Sequence, residues 1–349
     1  MIKKKLPVEI VLAPEWWNKH AGIIFDHDFF FHPLKRVESE QKMEKVLYEK
    51  WGKYGLGEDK NIPRPEIGAV HLAAGYFISE ILGCEVLYQE NHPPLVKCAD
   101  REDLKVDIDG AFKTRTYKDF EAMCDVLKAK YGYLTGDVNW GGVLNIAMDI
   151  RGQQLFLDMA MGDENVQAFL DDIHSVITRF VTFVERETKT TSISVNRLAR
   201  FYEKPLLLHS QCSHTMISCE DYEHFLMKYD VEWANKNRPF GIHYCGNDPH
   251  RYSGSFAKLP VLDFLDLGWG GDVAMLRKNL PNTFFNIRIS PVELINMSVD
   301  EIHTRVRKLV GESADAALTG VCCINLDDKI TDDKIDAIFE AVSSQEINA

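Results

Sequence analysis

From about Tyr131 onward, short apolar runs alternate along the chain with amphipathic stretches. The runs are rich in Leu, Phe, Ile and Val and end in small or polar residues, which is typical of strands buried on both faces of a parallel sheet. The predicted strands are YGYLTGDV (131–138), PLLLHSQC (205–212), FGIHYCG (240–246), VLDFLDLG (261–268), TFFNIRIS (283–290) and AALTGVCCIN (316–325). Strands that alternate with helices in this way predict an α/β fold.

Amphipathic helices are predicted between these strands and in the N-terminal part of the chain. Apolar residues recur at helical spacing in residues 163–188 and 218–237 and, earlier, from Arg36 to Trp51, with charged residues on the opposite face. A capping-box pattern, in which Ser298 precedes Glu301 by three residues, predicts the start of a further helix.

The repeated strand and helix units favour closure of the sheet into a single (β/α)8 TIM barrel. Six units fall in residues 131–349, which we expect to form most of the barrel. Residues 1–130 include the aromatic-rich segments APEWWNKH and DHDFFFHP, and we expect them to form an N-terminal helical and aromatic extension with the first barrel elements. Because no repeat or linker separates the two parts, the chain is predicted to be one domain overall.

Composition excludes several classes of protein. With 45% apolar and 27% charged residues, the 349-residue chain can bury a large core, as soluble globular proteins do. A formal charge of −13 argues against binding to nucleic acid, which needs clustered Lys and Arg. The sequence has neither a signal peptide nor an apolar run of roughly 20 residues, so we expect no membrane span. We therefore expect a cytoplasmic protein whose eight cysteines are reduced.

Polar and sulfur-containing residues cluster where the predicted strands end. In a TIM barrel the active site lies at the carboxyl ends of the strands, so these positions are the candidates for function. They are Asp137 and Asn139, then His209, Gln211 and Cys212, then His243 and Cys245, then Asp263 and Asp266, then Arg288, and finally Cys322 and Cys323.

His243 and Cys245 stand two residues apart, so their side chains share one face of a strand. An imidazole and a thiolate on one face can bind the same Zn²⁺ ion, although a core histidine beside a buried cysteine would give the same pattern. A third ligand could come from Cys322 or Cys323, of which only one can point inward along a regular strand. Three ligands leave a fourth position open, as in catalytic zinc sites, and Asp266, or as a second choice Asp263, could occupy it at rest.

The run TMISCEDYEHFLMKYDVEWANKNRPFGIHYCGN, residues 215–247, resembles the uroporphyrinogen decarboxylase superfamily. In that superfamily a helix start of the form PMISPExYxxF leads into a strand that ends in HxCGN. The segments LFLDMAMGDENVQAFLDDI, NMSVDEIHTRVRKLVG and CCINLDDKITDDKIDAIFEAV are also similar to elements of the superfamily. The resemblance covers roughly residues 132–342 and implies a TIM barrel.

Two branches of this superfamily differ in residue type. The decarboxylases carry an N-terminal arginine pair, RxxxR in an RQAG context, whereas this chain has PLKRVES and no such pair. The zinc-dependent cobalamin methyltransferases carry HxCG and a distant cysteine, to which His243, Cys245 and Cys322 correspond. Their last strand reads GCGI where this chain reads VCCI, so Cys323 stands at the glycine position. The resemblance therefore favours the methyltransferase branch.

The methyltransferase branch implies transfer of a methyl group between a corrinoid, such as methylcobalamin, and a small acceptor or donor such as a thiol. The corrinoid would be carried by a separate corrinoid-binding protein, and Zn²⁺ would be bound by His243, Cys245 and Cys322. The expected catalytic residues are Asp266 and His209, and the expected substrate-binding residues are Asp137, Asn139, Gln211 and Arg288. A salt bridge from Arg288 to a carboxylate such as Asp266 is an alternative to substrate binding.

Two other functions are compatible with the sequence. The first is a metal-free decarboxylase that acts on a porphyrinogen-like tetrapyrrole, against which the missing arginine pair argues. The second is an accessory protein that keeps the barrel fold and binds a corrinoid protein without catalysis. The sequence leaves the oligomeric state open, and a homodimer is compatible with the resemblance because the decarboxylases form dimers.

Overall fold

The computed structural model describes residues 6–193 and 195–343, and in them it shows an α/β fold built on a parallel sheet. The strands are β1 (Val8–Leu12), β2 (Glu85–Gln89), β3 (His92–Lys97), β4 (Leu207–Ser210), β5 (Phe240–His243), β6 (Phe264–Leu267), β7 (Phe284–Arg288) and β8 (Thr319–Leu326). The last five of these coincide with the predicted strands, which confirms that the apolar runs mark the sheet.

Helices connect and cover the strands. The α-helices are α1 (Pro14–Ala21), α2 (His27–Phe31), α3 (Pro33–Trp51), α4 (Phe77–Ile81), α5 (Ile108–Ala111), α6 (Arg115–Tyr131), α7 (Val143–Arg151), α8 (Gln154–Met161), α9 (Asn165–Thr188), α10 (Cys219–Asp221), α11 (Met227–Ala234), α12 (Ser253–Phe256), α13 (Val273–Asn279), α14 (Pro291–Asn296), α15 (Val299–Glu312) and α16 (Asp332–Ser343). Within residues 6–193 and 195–343, no helix is both long enough and apolar enough to cross a membrane.

The predicted helices are present, and the cap predicted at Ser298 is formed. Ser298 and Glu301 form the reciprocal hydrogen bonds of a capping box at the start of α15. The segment predicted as one helix over residues 218–237 is instead divided, because a π-helical turn, Tyr222–Leu226, separates α10 from α11.

The parallel strands form one curled sheet, a half-barrel, in the order β1-β8-β7-β6-β5-β4. Its strands are almost entirely buried, as in β6, where all four residues are buried. This burial explains why the strands are continuous apolar runs, since both faces of the sheet are covered. The hairpin of β2 and β3 forms a separate antiparallel pair.

The predicted closure into an eight-stranded barrel is not seen in the described residues, where β1 and β4 are the edges of the sheet. The predicted strand 131–138 contributes an isolated bridge between Thr135 and Glu66. Two features of the neighbouring segment disfavour a regular ladder there. Pro63 and Pro65 lack the amide hydrogen that a ladder needs. A Cβ atom on Gly68 would lie 2.0 Å from the Asp137 carbonyl oxygen, so the two segments touch through their backbones.

The N-terminal part joins the same structure through β1 and a cluster of aromatic side chains. Strand β1 pairs with β8 in parallel. The rings of Trp16 and Trp17 meet edge to face at 5.1 Å, and Trp51 lies 5.8 Å from Trp16. All three indoles are buried, so the segments predicted as an aromatic extension contribute to the core.

Candidate metal centre

Three metal-binding side chains meet at the carboxyl edge of the sheet. The ligand atoms of Cys212, His243 and Cys245 all lie within 4.8 Å of one another. His243 is the last residue of β5, and Cys245 follows it by two residues. Cys212 begins a 3-10 turn, Cys212–Met216, directly beyond β4. Because β4 and β5 are parallel neighbours, the loops that follow them meet at one edge.

Small residues allow these loops to approach each other. A Cβ atom on Gly246 would lie 1.9 Å from the Thr215 methyl group, so only glycine fits beside the 3-10 turn that carries Cys212. A Cβ atom on Gly268 would in turn lie 1.5 Å from the Gly246 carbonyl oxygen. The glycine after the HxC sequence is therefore required by packing, and it brings the loops after β4, β5 and β6 into contact.

The imidazole of His243 is oriented by two acceptors. Its Nδ1 atom lies 2.6 Å from Asn196 Oδ1 and 2.5 Å from Asp266 Oδ2. A ring nitrogen between two acceptors carries a proton, which leaves Nε2 of the neutral ring to act as a ligand. Partners of this kind are usual behind metal-binding histidines.

Asp266 is fully buried and forms an ion pair with Arg288. Burial opposes ionisation of Asp266, but Arg288 and His243 outweigh it and lower the pKa of the carboxyl group. Burial likewise disfavours the charged form of His243, and Asp266 overcomes this effect and raises the pKa of the imidazole. The alternative in which Arg288 pairs with Asp266 is therefore the arrangement that the structure contains.

The two thiols of the group have opposite pKa shifts. Contact with the Cys245 thiol lowers the pKa of Cys212 despite burial, and Ser210 and the positive charge of Arg288 act in the same direction. The pKa of Cys245 is raised well above its usual value, first by its hydrogen bond to Cys212 and then by burial. Cys212 is thus the sulfur that ionises first, while Cys245 keeps its proton.

Cys322 and Cys323 point to opposite faces of β8. The Cys322 thiol donates to Asp266 Oδ1 at 3.5 Å on the inner face, and the Cys323 thiol donates to the Ile289 carbonyl oxygen at 3.4 Å on the other. Burial raises the pKa of Cys322 well above its usual range. In the described residues Cys322 is a neighbour of the group through Asp266 and is not one of its three members.

A cavity of about 400 Å³ adjoins the group, and Cys212, His243 and Cys245 all line it. Its other polar lining residues include Ser210, Asn139, Asn145, Asp149, Arg288 and Asn325. The cavity is large enough for a small molecule. Two of the predicted substrate-binding residues, Asn139 and Arg288, are thus placed beside the group.

The structure places His209 and Gln211 on the other face of β4. Both bond to the buried carboxylate of Asp230, with His209 Nδ1 at 2.6 Å from Asp230 Oδ1. Ser210 pairs with His243 in the sheet, so its side chain points to the same inner face. Because side chains alternate along a strand, His209 and Gln211 on either side of Ser210 point to the opposite face. Asp137 accepts a hydrogen bond from Thr190 at 2.7 Å. Among the described residues, His209, Gln211 and Asp137 do not line the cavity.

Several residues of the site were not assigned from the sequence. Cys212 is recognised from the sequence as a strand-end residue, but no metal-binding role is assigned to it. The available signal is its position two residues after Ser210, because side chains two residues apart on a strand point to the same face. Asn196 lies in an irregular segment just before the 3-10 turn Arg197–Phe201, so no periodicity marks it. Asn145 and Asp149 lie on α7, and nothing in the sequence indicates which side of that helix faces the sheet.

No protein-family model matches the chain, and no curated protein sequence matches it. Solved structures do match it, among them the following two. A methyltransferase from Methanosarcina mazei superposes with a TM-score of 0.68 at 13% identity, covering 98% of this chain and 94% of its own. A B12-independent methionine synthase from Shewanella sp. W3-18-1, in complex with selenomethionine, superposes with a TM-score of 0.51 at 8% identity, covering 98% and 96%. At these identities the similarity shows a shared fold.

Proposed function

We propose that the protein is a zinc-dependent methyltransferase that moves a methyl group between a corrinoid and a small molecule such as a thiol. A separate corrinoid-binding protein would carry the corrinoid. The observation that carries the proposal is the group of two thiols and one imidazole, within 4.8 Å of one another at the carboxyl edge of the sheet. The shared fold with a methyltransferase supports it.

The donor set fits Zn²⁺, because thiolates and a neutral imidazole are the ligands that this ion prefers. Cys212, His243 and Cys245 would hold the ion. Asn196 and Asp266 hold the proton on Nδ1 of His243 and so keep Nε2 available. A site with three protein ligands leaves a fourth position for an exchangeable group, as catalytic zinc sites do.

Cys322 remains the alternative source of the third sulfur, as the family resemblance implies. It lies on the same inner face, but its thiol donates to Asp266 and its pKa is raised by burial. To join His243 it would have to lose its proton and turn away from Asp266. The geometry therefore favours Cys212 as the third ligand.

The zinc ion supplies a Lewis acid that favours ionisation of a substrate thiol, and the corrinoid supplies or accepts the methyl group. The chain itself binds and orients the substrate. Asn139 and Arg288 line the cavity and are proposed to contact it. Asp266 is proposed to act by keeping His243 in one tautomer.

The remaining predicted residues are proposed to position the site from outside the cavity. His209 and Gln211 both bond to Asp230 and so fix the end of β4, from which Cys212 follows. Asp137 accepts a hydrogen bond from Thr190, which ties together two irregular segments near the open side of the half-barrel. These are positioning roles, since none of the three side chains lines the cavity in the described residues.

Metal analysis tests the proposal directly. Protein purified anaerobically from zinc-replete cells is expected to contain about one zinc per chain, because the ligands bind metal only when reduced and deprotonated. The variants His243→Ala and Cys245→Ser are expected to lose it. Cys98→Ser is the matched control, since Cys98 is an exposed thiol outside the group. Wild-type protein that contains no metal under these conditions would contradict the proposal.

A further inference from the structure

One carboxylate among the described residues lines the cavity beside the metal-binding group, and it belongs to Asp149 on α7. Asn145 lies one turn earlier on the same helix, and its Oδ1 atom accepts a hydrogen bond from the backbone N–H of Ser213, the residue after Cys212, at 3.3 Å. One face of α7 therefore contacts the turn that carries Cys212. The same face places Asp149 about 6 Å farther along the helix axis, the rise of four residues.

Asp149 has no cationic partner among the described residues. Its carboxylate accepts a hydrogen bond from Ser79 Oγ at 2.6 Å. Burial raises the pKa of Asp149, and the hydrogen bond from Ser79 offsets the effect only in part, with no positive side chain contributing. A half-buried carboxylate without a counter-ion is unfavourable, so a cation that entered the cavity would be bound there.

The fixed positive charge in the cavity wall, that of Arg288, already has a counter-ion. Arg288 lines the same cavity, but its guanidinium forms a buried ion pair with Asp266. A second anion at Arg288 would lie close to the Asp266 carboxylate and would be repelled by it. Among the described residues that line the cavity, Asp149 is therefore the charged group without a counter-ion, and its negative charge is available to a ligand.

We infer that the small substrate of this site is a thiol that also carries a protonated amino group, and that Asp149 binds the amino group while the sulfur lies at Cys212, His243 and Cys245. The inference rests on the proposed function, since it assigns the substrate class of that site. An ammonium group donates charge-assisted hydrogen bonds to the carboxylate. An anionic thiol would place like charge near Asp149, which disfavours it.

The experiment measures thiol binding to the cobalt-substituted protein, in which binding of sulfur at the metal changes the visible absorption spectrum. Cysteamine, 2-mercaptoethanol and mercaptoacetate differ in the charge at the end away from the sulfur and, as a result, in the acidity of the thiol. Their affinities are therefore compared per thiolate, with each thiol's own pKa measured in solution. We expect cysteamine to bind at least about tenfold more tightly than 2-mercaptoethanol, since a charge-assisted hydrogen bond of this kind contributes that much, and mercaptoacetate to bind most weakly.

The variant Asp149→Asn is expected to lose the preference for cysteamine, so that it binds cysteamine and 2-mercaptoethanol about equally. Asp125→Asn is the matched control, because Asp125 is an exposed carboxylate on α6. If the variant does not fold, the order of the three thiols on the wild-type protein still decides the question. Equal or tighter binding of mercaptoacetate overturns the inference and leaves the proposed function standing. A spectrum that no thiol changes overturns the proposed function, and the inference with it.

Discussion

The chemistry of the candidate site depends on how the proton is distributed between two sulfur atoms. Cys212 and Cys245 interact closely, and this interaction lowers the pKa of Cys212 while it raises that of Cys245. A metal ion that binds both sulfurs must displace this proton, so metal binding is coupled to proton release. His243 must likewise present an unprotonated Nε2, and Asn196 and Asp266 already hold the other ring proton on Nδ1.

Serine substitutions at two cysteines identify the third ligand. Cys212→Ser is expected to lose most of the bound zinc, because Cys212 is the sulfur that lies within 4.8 Å of both His243 and Cys245. Cys322→Ser is expected to keep it, since the Cys322 thiol is directed to Asp266. Zinc content by mass spectrometry and competition with a chelator measure both. The reverse result would assign the ligand to Cys322, as the resemblance implies.

At the residue scale, the sequence identifies the part of the site that follows from strand alternation. His243 and Cys245 are recognisable because they are two residues apart at the end of an apolar run, and they lie together in the structure. Whether Cys212 points inward depends on which residues of β4 face the inside of the half-barrel. The run PLLLHSQC does not reveal this, since its first four residues are apolar on both faces of the strand. Asp266 was expected to face a metal, but the nearby charge of Arg288 holds its carboxylate in an ion pair instead.

At the element scale, the turns around β4 show how tertiary contacts override a local pattern. Residues 218–237 have helical periodicity, yet the π-helical turn Tyr222–Leu226 interrupts them. The Tyr222 hydroxyl donates to Asp230 at 2.6 Å, and His209 bonds to the same carboxylate. This buried network ties the turn to β4, and π-helical turns often occur near functional sites. The sequence shows the helical spacing of apolar residues in this segment, but it does not show a contact between residues that are far apart in the chain.

A partly buried polar cluster joins helix α3 to the loop at residue 71 and to the 3-10 turn that follows Asn196. His71 Nε2 lies 2.9 Å from Glu44 Oε1, and Arg197 lies 3.5 Å from the same oxygen. Burial opposes ionisation of Glu44, but the hydrogen bond to His71 and the charge of Arg197 outweigh it and lower the pKa to about 2. The cluster thus supports the segment that supplies Asn196 to the site.

Replacement of Glu44 by Gln is expected to lower the free energy of unfolding by about 1–3 kcal/mol at neutral pH, the cost of a lost charged hydrogen bond. The carboxyl group has a lower pKa in the folded protein than its usual 4.5, so its contribution is present above that pH and is lost as the pH falls toward 2. The difference between variant and wild type should therefore shrink on acidification, as measured by urea unfolding at several pH values.

A second glutamate on the same helix provides the control. Glu49 forms an exposed i,i+4 pair with Lys45, with both side chains more than half exposed. Glu49→Gln is expected to change the stability by less than about 0.5 kcal/mol, since exposed pairs of this kind contribute little. Equal effects of the two substitutions, or a Glu44→Gln effect that does not vary with pH, would contradict the role of the cluster.

At the scale of the whole molecule, the alternation of strands and helices predicts the class of fold but not its closure. Five predicted strands form adjacent members of one parallel sheet, as their apolar runs imply. Where a further strand is predicted, near Asp137, the neighbouring segment contains Pro63, Pro65 and Gly68. Its backbone lies against that of Asp137 without forming a regular hydrogen-bonded ladder. Such contacts join residues far apart in sequence, so no local pattern reveals them. Assembly into a homodimer stays a prediction.

The proposed methyl transfer would depend on the sheet, the loops and the cavity together. Zinc-loaded protein is expected to consume methylcobalamin under anaerobic conditions when a small thiol is added, and to form the methyl thioether in equal amount. The reason is that, in the proposed function, the cavity of about 400 Å³ would hold a thiol beside Cys212, His243 and Cys245 and orient it for attack. Cys245→Ser and chelator-treated protein should lose the activity, whereas Cys98→Ser should retain it. The methylcobalamin spectrum and the thioether product provide independent measurements. If zinc-loaded protein binds a corrinoid protein but leaves the methylcobalamin spectrum unchanged with each thiol, the chain has a binding role and the proposed catalysis is wrong.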